Sequence, residues 1–151
     1  MTNTAKAPDP QLAIACDHAG LALKESLKPA LTKLGVAFVD LGTNSENSTD
    51  YPDYAHAVAS GIEVGRFKLG ILVCGTGLGM CMAANRHRNV RAASCSDAYA
   101  ARMARAHNDA NVLCLGSRIV GAGLAEDIVK AFVEGTFEGG RHAGRVAKIE
   151  R

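Results

Sequence analysis

Five short apolar runs alternate along the chain with five stretches of helical periodicity, and this order limits the folds it can adopt. The apolar runs, which predict strands, are residues 12–16, 36–41, 69–74, 90–95 and 112–115. The helical stretches are residues 21–34, 54–64, 80–86, 98–106 and 124–132. Strands joined through helices run parallel, and right-handed crossovers place helices on both faces of the sheet. The pattern predicts a doubly wound, Rossmann-like α/β fold with a five-stranded parallel sheet.

Length and charge narrow the class of protein further. The 151 residues suit one compact domain, predicted at 11–151, behind a flexible segment at 1–10. Lys and Arg total 17 against 15 acidic residues, which argues against the broad basic surface of a nucleic-acid binder. No apolar run has the length of a membrane span or the form of a signal peptide, so we expect a cytoplasmic protein without a membrane partner. Five cysteines without a C-x-x-C pair indicate reduced thiols and no structural zinc site.

The segment that follows the third predicted strand carries the strongest chemical signal. Cys74 ends the strand, and Gly75, Gly77 and Gly79 alternate directly after it. Glycines let the backbone turn sharply and approach a ligand, while amides at the start of a helix favour an anion and a thiolate. Cys74 is therefore a candidate base or nucleophile beside an anion cradle. The other four cysteines are predicted to be buried structural residues.

A dinucleotide site is the main alternative for this glycine segment. Asp97 lies about 20 residues further on, where an acid that binds ribose would be sought. The spacing is nevertheless G-x-G-x-G rather than G-x-G-x-x-G, and the motif follows the third strand instead of the first. Binding of a phosphate or of an enolate oxyanion fits this spacing better.

Further candidates lie at the ends of predicted elements. Asp17 and His18 follow the first strand, where Asp17 could also cap the next helix, and Arg118 follows the fifth strand. His107 and Asn108 close a predicted helix. His107 could transfer protons near neutral pH or simply interact with the helix C-terminus, and spacing alone leaves both interpretations open.

Two arginines lie near the end of the chain. Gly139 and Gly140 are predicted to break the last helix, and Arg141 and Arg145 follow on one face if the terminal segment is helical. Together with Arg118 they would suit a phosphate dianion if all three converged on one pocket. The polar loop 44–53 could border that pocket, although a solvated connection is the simpler interpretation.

Several motifs together resemble ribose-5-phosphate isomerase type B, of the ribose/galactose isomerase family, over almost the whole chain. They are Cys16-Asp17-His18-Ala19-Gly20, Asp50-Tyr51-Pro52, Cys74-Gly75-Thr76-Gly77-Leu78-Gly79, His107-Asn108-Asp109, Gly116-Ser117-Arg118 and Gly139-Gly140-Arg141-His142. The resemblance implies interconversion of D-ribose 5-phosphate and D-ribulose 5-phosphate through an enediolate, in the non-oxidative pentose phosphate pathway. It implies neither a metal nor an organic cofactor.

The resemblance also implies roles for individual residues. Cys74 would be the base, and His107 would assist opening of the furanose ring. Thr76 would add a hydroxyl to the cradle, and Met80 stands where another branch of the family has a glutamate base, so the chain resembles the cysteine-type branch. The substrate-binding positions implied are Asp17, His18, Gly75, Thr76, Gly77, Leu78, Gly79, Asn108, Arg118, Arg141 and Arg145.

The family resemblance further implies a homodimer or homotetramer with active sites shared between subunits, in which the C-terminal segment reaches a partner subunit. Two other functions remain open at this point. One is isomerisation of a hexose 6-phosphate of the allose or galactose type. The other is binding of a phosphosugar without catalysis.

Overall fold

The computed structural model describes residues 10–150. In this range the strands are β1 Leu12–Cys16, β2 Phe38–Asp40, β3 Leu69–Cys74, β4 Ala92–Ser94 and β5 Val112–Gly116. The helices are α1 Leu21–Lys33, α2 Tyr51–Glu63, α3 Leu78–Ala84, α4 Ala98–Asn108, α5 Ala122–Glu134 and α6 Arg141–Ile149, with a short 3₁₀ turn at His18–Gly20. The flexible segment predicted at 1–10 lies, apart from Pro10, outside the described residues. Within the described range, no helix combines the length and apolarity needed to cross a membrane.

The strands form one parallel sheet in the order β2-β1-β3-β5-β4. Alternate strand residues point to opposite faces, as a buried parallel sheet requires. Ile14 and Ile71 pack with α1, α4 and α5 on one face, whereas Ala13 and Leu72 pack with α2 and α3 on the other. The predicted doubly wound α/β fold is confirmed.

The strand order indicates at which end of the strands a ligand would bind. The chain moves outward from β1 to β2 and then returns past β1 to β3, so the direction of winding reverses between β1 and β3. In such sheets ligands bind beyond the carboxyl ends of the two strands at the reversal. Asp17 and His18 follow β1 there, and Cys74 ends β3.

The structure corrects several predicted bounds. The edge strands β2 and β4 have only three residues each, because the rest of their apolar runs packs against the core as loop; Val90, for example, is 5% exposed. Helix α2 begins at Tyr51, with Pro52 in its first turn, where proline's missing N–H is not needed. The loop predicted at 44–53 therefore ends at Asp50.

The C-terminal segment also differs from its prediction. Helix α5 already ends at Glu134, so Gly139 and Gly140 do not break it. Both glycines instead have positive φ, 65° and 53°, and turn the chain into a separate helix, α6. The terminal segment is thus helical, which is the condition under which Arg141 and Arg145 were expected to share a face.

A buried lysine holds the loop after β2 in place. Lys24 on α1 is 1% exposed, and its Nζ donates to Asp40 Oδ2 at 2.6 Å and to the Thr43 carbonyl at 2.9 Å. Burial alone would raise the pKa of the Asp40 carboxyl, but the hydrogen bonds from Lys24, the Gly42 N–H and Lys28, together with the charge of Lys24, outweigh it and the pKa is lowered. The carboxyl end of β2 is thereby fixed beside β1.

Candidate active site

The glycine segment after β3 encloses the Cys74 thiol. The sulfur is buried, with the residue 4% exposed, and it accepts a hydrogen bond from the Gly77 N–H at 3.1 Å. Thr76 Oγ1 accepts from the Leu78 N–H at 3.3 Å, at the start of α3. The Cys74 thiol is thereby held inside the glycine segment, beside the backbone N–H groups that lead into α3.

Arg118 extends over the same cradle. The backbone N–H of Arg118 donates to the Gly75 carbonyl at 3.0 Å, and the backbone N–H of Ser117 donates to the Cys74 carbonyl at 2.8 Å. A Cβ built on Gly75 would lie 3.2 Å from Arg118 Nη1, so the guanidinium rests directly against the cradle. A larger residue at position 75 would require the guanidinium to shift by a few tenths of an ångström. The guanidinium is exposed and can bind an anion that approaches the cradle.

Asp17 and His18 border the cradle through β1. The Asp17 N–H donates to the Val73 carbonyl at 3.2 Å, and its side chain accepts from the Gly20 N–H at 3.0 Å. Asp17 therefore caps the 3₁₀ turn His18–Gly20 and not α1, whose N-cap is Gly20. His18 Nδ1 accepts from the Thr49 N–H at 3.1 Å. That bond leaves Nε2 of a neutral ring as the protonated nitrogen, available as a donor.

Two neighbours of the cradle did not stand out in the sequence. A Cβ on Gly79 would lie 2.6 Å from the ring of Tyr51, and one on Gly77 would lie 3.1 Å from Ser94 Oγ. Tyr51 is part of one motif in the family resemblance, but its position opposite Gly79 follows from how α2 packs on α3. Ser94 carries no sequence signal, because a serine that ends an edge strand is unremarkable.

His107 and Asn108 lie at the amino ends of the strands, opposite the carboxyl ends where Cys74 lies. Helix α4 starts beyond the carboxyl end of β4, runs back along the sheet and ends at Asn108. The Asn111 carbonyl, three residues later, accepts from the Gly70 N–H at 2.8 Å, near the amino end of β3. Within one chain the structure therefore does not bring His107 or Asn108 to Cys74.

The C-terminal helix α6 joins this second group. The ring of His142 stacks on that of His107 with centroids 4.2 Å apart and planes 11° apart. Arg141 and Arg145, on the same helix, are exposed. The predicted site residues thus form two sets, which we name the carboxyl-edge group (Asp17, His18, residues 74–79 and Arg118) and the amino-edge group (His107, Asn108, Arg141 and Arg145).

The surroundings of His142, which packs against the amino-edge group, lower its pKa. Burial lowers the pKa of His142, and the nearby charges of His107 and Arg141 lower it further. Asn108 lines a cleft of about 690 Å³ whose other walls include Arg86, Arg88 and Arg91. Arg91 is paired with Asp109 and Glu150, so Arg86 and Arg88 supply most of the free positive charge. This edge of the molecule favours anions.

The remaining cysteines differ among themselves. Cys16, Cys95 and Cys114 are buried, as predicted, and burial raises the pKa of Cys16 and of Cys95 to about 11. Cys81 on α3 is only partly buried, and a hydrogen bond with Cys114 lowers its pKa to about 7. Cys81 can therefore ionise near neutral pH, although it lies outside the cradle and is less buried than predicted.

Gly77 offers a direct test of the cradle. The φ of Gly77 is 79°, and a Cβ there would lie 2.9 Å from the Leu115 carbonyl carbon. Gly77→Ala should therefore displace the amide that donates to Cys74 and lower the free energy of unfolding by about 1–3 kcal/mol. Gly123→Ala is the matched control. Gly123 lies in α5, and a Cβ built there would have no described atom within 4 Å apart from its chain neighbours and the backbone of its own helix. It should raise stability by about 0.5–1 kcal/mol. Urea unfolding of both variants measures the difference, and equal stabilities would contradict the strained position of Gly77.

Comparison with known proteins gives consistent matches over nearly the whole chain. Residues 12–149 match the family model described as Ribose/Galactose Isomerase. The chain is 47% identical over 139 residues to ribose-5-phosphate isomerase B of Escherichia coli K12, covering 92% of this chain and 93% of the relative. It is 40% identical over 139 residues to a D-erythrulose-4-phosphate isomerase of Pectobacterium atrosepticum, covering 91% of each. The crystal structure of a ribose 5-phosphate isomerase from Thermotoga maritima matches with a TM-score of 0.89 at 51% identity, over 92% of this chain and 96% of that one.

Proposed function

Because the chain belongs to the ribose/galactose isomerase family, we propose that it is an isomerase that interconverts D-ribose 5-phosphate and D-ribulose 5-phosphate. The observation that carries the proposal is the buried Cys74 thiol, which accepts the Gly77 amide at the carboxyl end of β3. Aldose–ketose isomerisation needs a base beside a donor-rich cradle, since charge develops on the substrate oxygens as the C2 proton leaves. The carboxyl-edge group offers both features in one place.

The reaction follows from that arrangement. The Cys74 thiolate removes the proton from C2 of the open-chain aldose, and an enediolate forms. The amides of residues 75–79 and the Thr76 hydroxyl stabilise its oxygens while the hydroxyl proton moves from O2 to O1. Cys74 then returns its proton to C1 and yields the ketose. No atom is gained or lost, so the step requires no oxidant, reductant or co-reactant.

The amino-edge group supplies the remaining roles in this proposal, but from a second subunit. Its residues lie at the opposite edge of the sheet from Cys74, so the partner subunit's His107 would open the furanose ring and the partner subunit's Asn108 would contact the sugar. The partner subunit's Arg141 and Arg145 would bind the phosphate together with Arg118. Asp17 and His18 would hold the sugar from the same chain as Cys74.

Exposed apolar side chains around the carboxyl-edge group support the association of two chains. Leu78 is 54% exposed and Met82 68% exposed on α3, and Tyr99 at the start of α4 and Ile119 next to Arg118 are 66% and 59% exposed. Large exposed apolar side chains are typical of an interface between proteins. A homodimer or homotetramer with shared active sites would cover them.

The free thiols suit a reducing compartment, and we propose the cytoplasm.

A panel of phosphosugars tests the substrate. We expect kcat/KM for ribose 5-phosphate to exceed that for allose 6-phosphate, galactose 6-phosphate and erythrulose 4-phosphate by about 10- to 200-fold, the discrimination typical of one carbon unit in a fitted pocket. NMR in deuterated water should show exchange at C2 of the preferred substrate. A higher kcat/KM on a hexose phosphate would transfer the function to that sugar. Binding without C2 exchange on any member of the panel would make the protein a phosphosugar sensor.

A further inference from the structure

Three potential metal ligands meet where α4 and α6 come together. Glu138 Oε2 lies 3.6 Å from His142 Nε2 and 4.0 Å from His107 Nε2. The three ligand atoms all lie within 4.8 Å of one another. Tetrahedral Zn²⁺, with bonds of about 2.0–2.2 Å, holds its ligand atoms about 3.4 Å apart. Small side-chain movements would thus bring the cluster to the separation that the ion requires.

The backbone already holds these residues together. The Glu138 N–H donates to the Ala106 carbonyl at 3.0 Å, which ties the loop to the last turn of α4. His142 is the second residue of α6, which follows the two glycines with positive φ, and it is 6% exposed. His107 and Glu138, whose side chains are 36% and 58% exposed, leave one side of the cluster open to solvent. An ion could enter from that side and keep a water as its fourth ligand.

One atom in the cluster points directly to a ligand. His142 Nε2 is buried and has no hydrogen-bond partner among the residues that the structure describes. A buried polar atom without a partner is costly, and such atoms usually mark a function or a bound group. Coordination of an ion would satisfy this nitrogen.

The chemistry of the three ligand atoms determines which type of ion the cluster would bind. Two imidazoles and one carboxylate form the His₂Glu set that Zn²⁺ accepts in three-ligand sites. Mg²⁺ and Ca²⁺ prefer oxygen ligands, whereas two of the three ligands here are imidazole nitrogens. The parallel rings of His107 and His142 must tilt apart for both nitrogens to face one ion, so binding should be reversible rather than structural.

We propose that His107, Glu138 and His142 form an inhibitory site for Zn²⁺. The inhibition rests on the proposed function, in which His107 moves protons during ring opening: a nitrogen bound to the ion can no longer do so. Zn²⁺ is here a ligand that competes with catalysis rather than a cofactor. The same argument applies to other transition metals that accept imidazole, such as Co²⁺.

Direct binding separates this site from the catalytic thiol. Isothermal titration with Zn²⁺ and visible absorption with Co²⁺ should be performed on the full chain carrying Cys74→Ser, which removes the thiol of the cradle. We expect one site per chain, and Glu138→Gln should raise its Kd at least about tenfold. Glu63→Gln, which alters a histidine–glutamate pair elsewhere, between Glu63 and His87, is the matched control and should leave Kd unchanged. An unchanged Kd in Glu138→Gln, or a Co²⁺ spectrum dominated by thiolate charge transfer, would overturn the site.

Inhibition is measured separately, on chains that retain Cys74. The Zn²⁺ concentration that halves isomerase activity should rise in Glu138→Gln by the same factor as Kd and should not rise in Glu63→Gln. Inhibition that is equally strong in Glu138→Gln would show that the ion acts elsewhere, at Cys74 or Cys81. If no phosphosugar is isomerised at all, the proposed function fails, whereas the binding experiment still decides whether the metal site exists.

Discussion

Replacing Cys74 with Ala should lower kcat on ribose 5-phosphate by about 10²- to 10⁴-fold, the range expected when a general base is removed. The fold should survive, because alanine fits the space of the buried thiol and leaves the cradle glycines in place. Substrate binding should change little, since the thiol acts on the C2 proton and the sugar and phosphate contacts lie elsewhere. Initial rates, with the melting temperature as a check on folding, measure the effect.

Cys81→Ala is the matched control for this experiment. Cys81 lies seven residues from Cys74, and its lowered pKa of about 7 makes it the thiol most easily confused with a catalytic one. The Cys81 thiol faces away from the cradle, and its Sγ donates to the Ala92 carbonyl oxygen at 3.3 Å. Its replacement should therefore leave kcat within a factor of about two. Near-normal turnover in Cys74→Ala, or an equal loss in both variants, would remove Cys74 from the role of base.

Mixing two inactive variants should restore activity if the sites are shared between subunits. A chain with Cys74→Ala retains an intact amino-edge group, and a chain with His107→Ala retains an intact carboxyl-edge group. Random reassembly of equal amounts makes half of the dimers hybrids, and each hybrid has one intact site of two. Co-refolded mixtures should therefore recover roughly one quarter of the activity of the unmodified protein on the furanose form of the substrate.

A second mixture provides the control for reassembly. Cys74→Ala combined with Arg118→Ala places both changes in the carboxyl-edge group, so neither site of a hybrid is intact. This mixture should stay as inactive as its parents. Equal recovery in both mixtures, or recovery in neither, would contradict the division of roles between the two edges.

The sheet and the thiol were predictable because their signals are local. Residues 12–16 and 69–74 are buried on both faces, so an uninterrupted apolar run identifies each strand with the bounds that the structure shows. The edge strands are shorter than their apolar runs, since they pair on one side only. Cys74 was identifiable from the three glycines that follow it.

Long-range geometry was not predictable from spacing. His107 ends a helix whose direction depends on the crossover from β4, and nothing near it in the sequence reports which edge of the sheet it reaches. The contact between Tyr51 and Gly79 likewise depends on how two helices pack. The family resemblance implied shared sites, and the positions of His107 and Asn108 supply a physical reason for them.

If two chains share each active site, as we propose, the separation of the two groups by the length of the strands makes the amount of protein a determinant of its chemistry. A lone chain could fold completely, with its core intact, and still possess only halves of two different active sites. Turnover per chain would then depend on association, so dilution would silence the protein without unfolding it. Abundance would act as a threshold below which the cell holds folded but idle subunits.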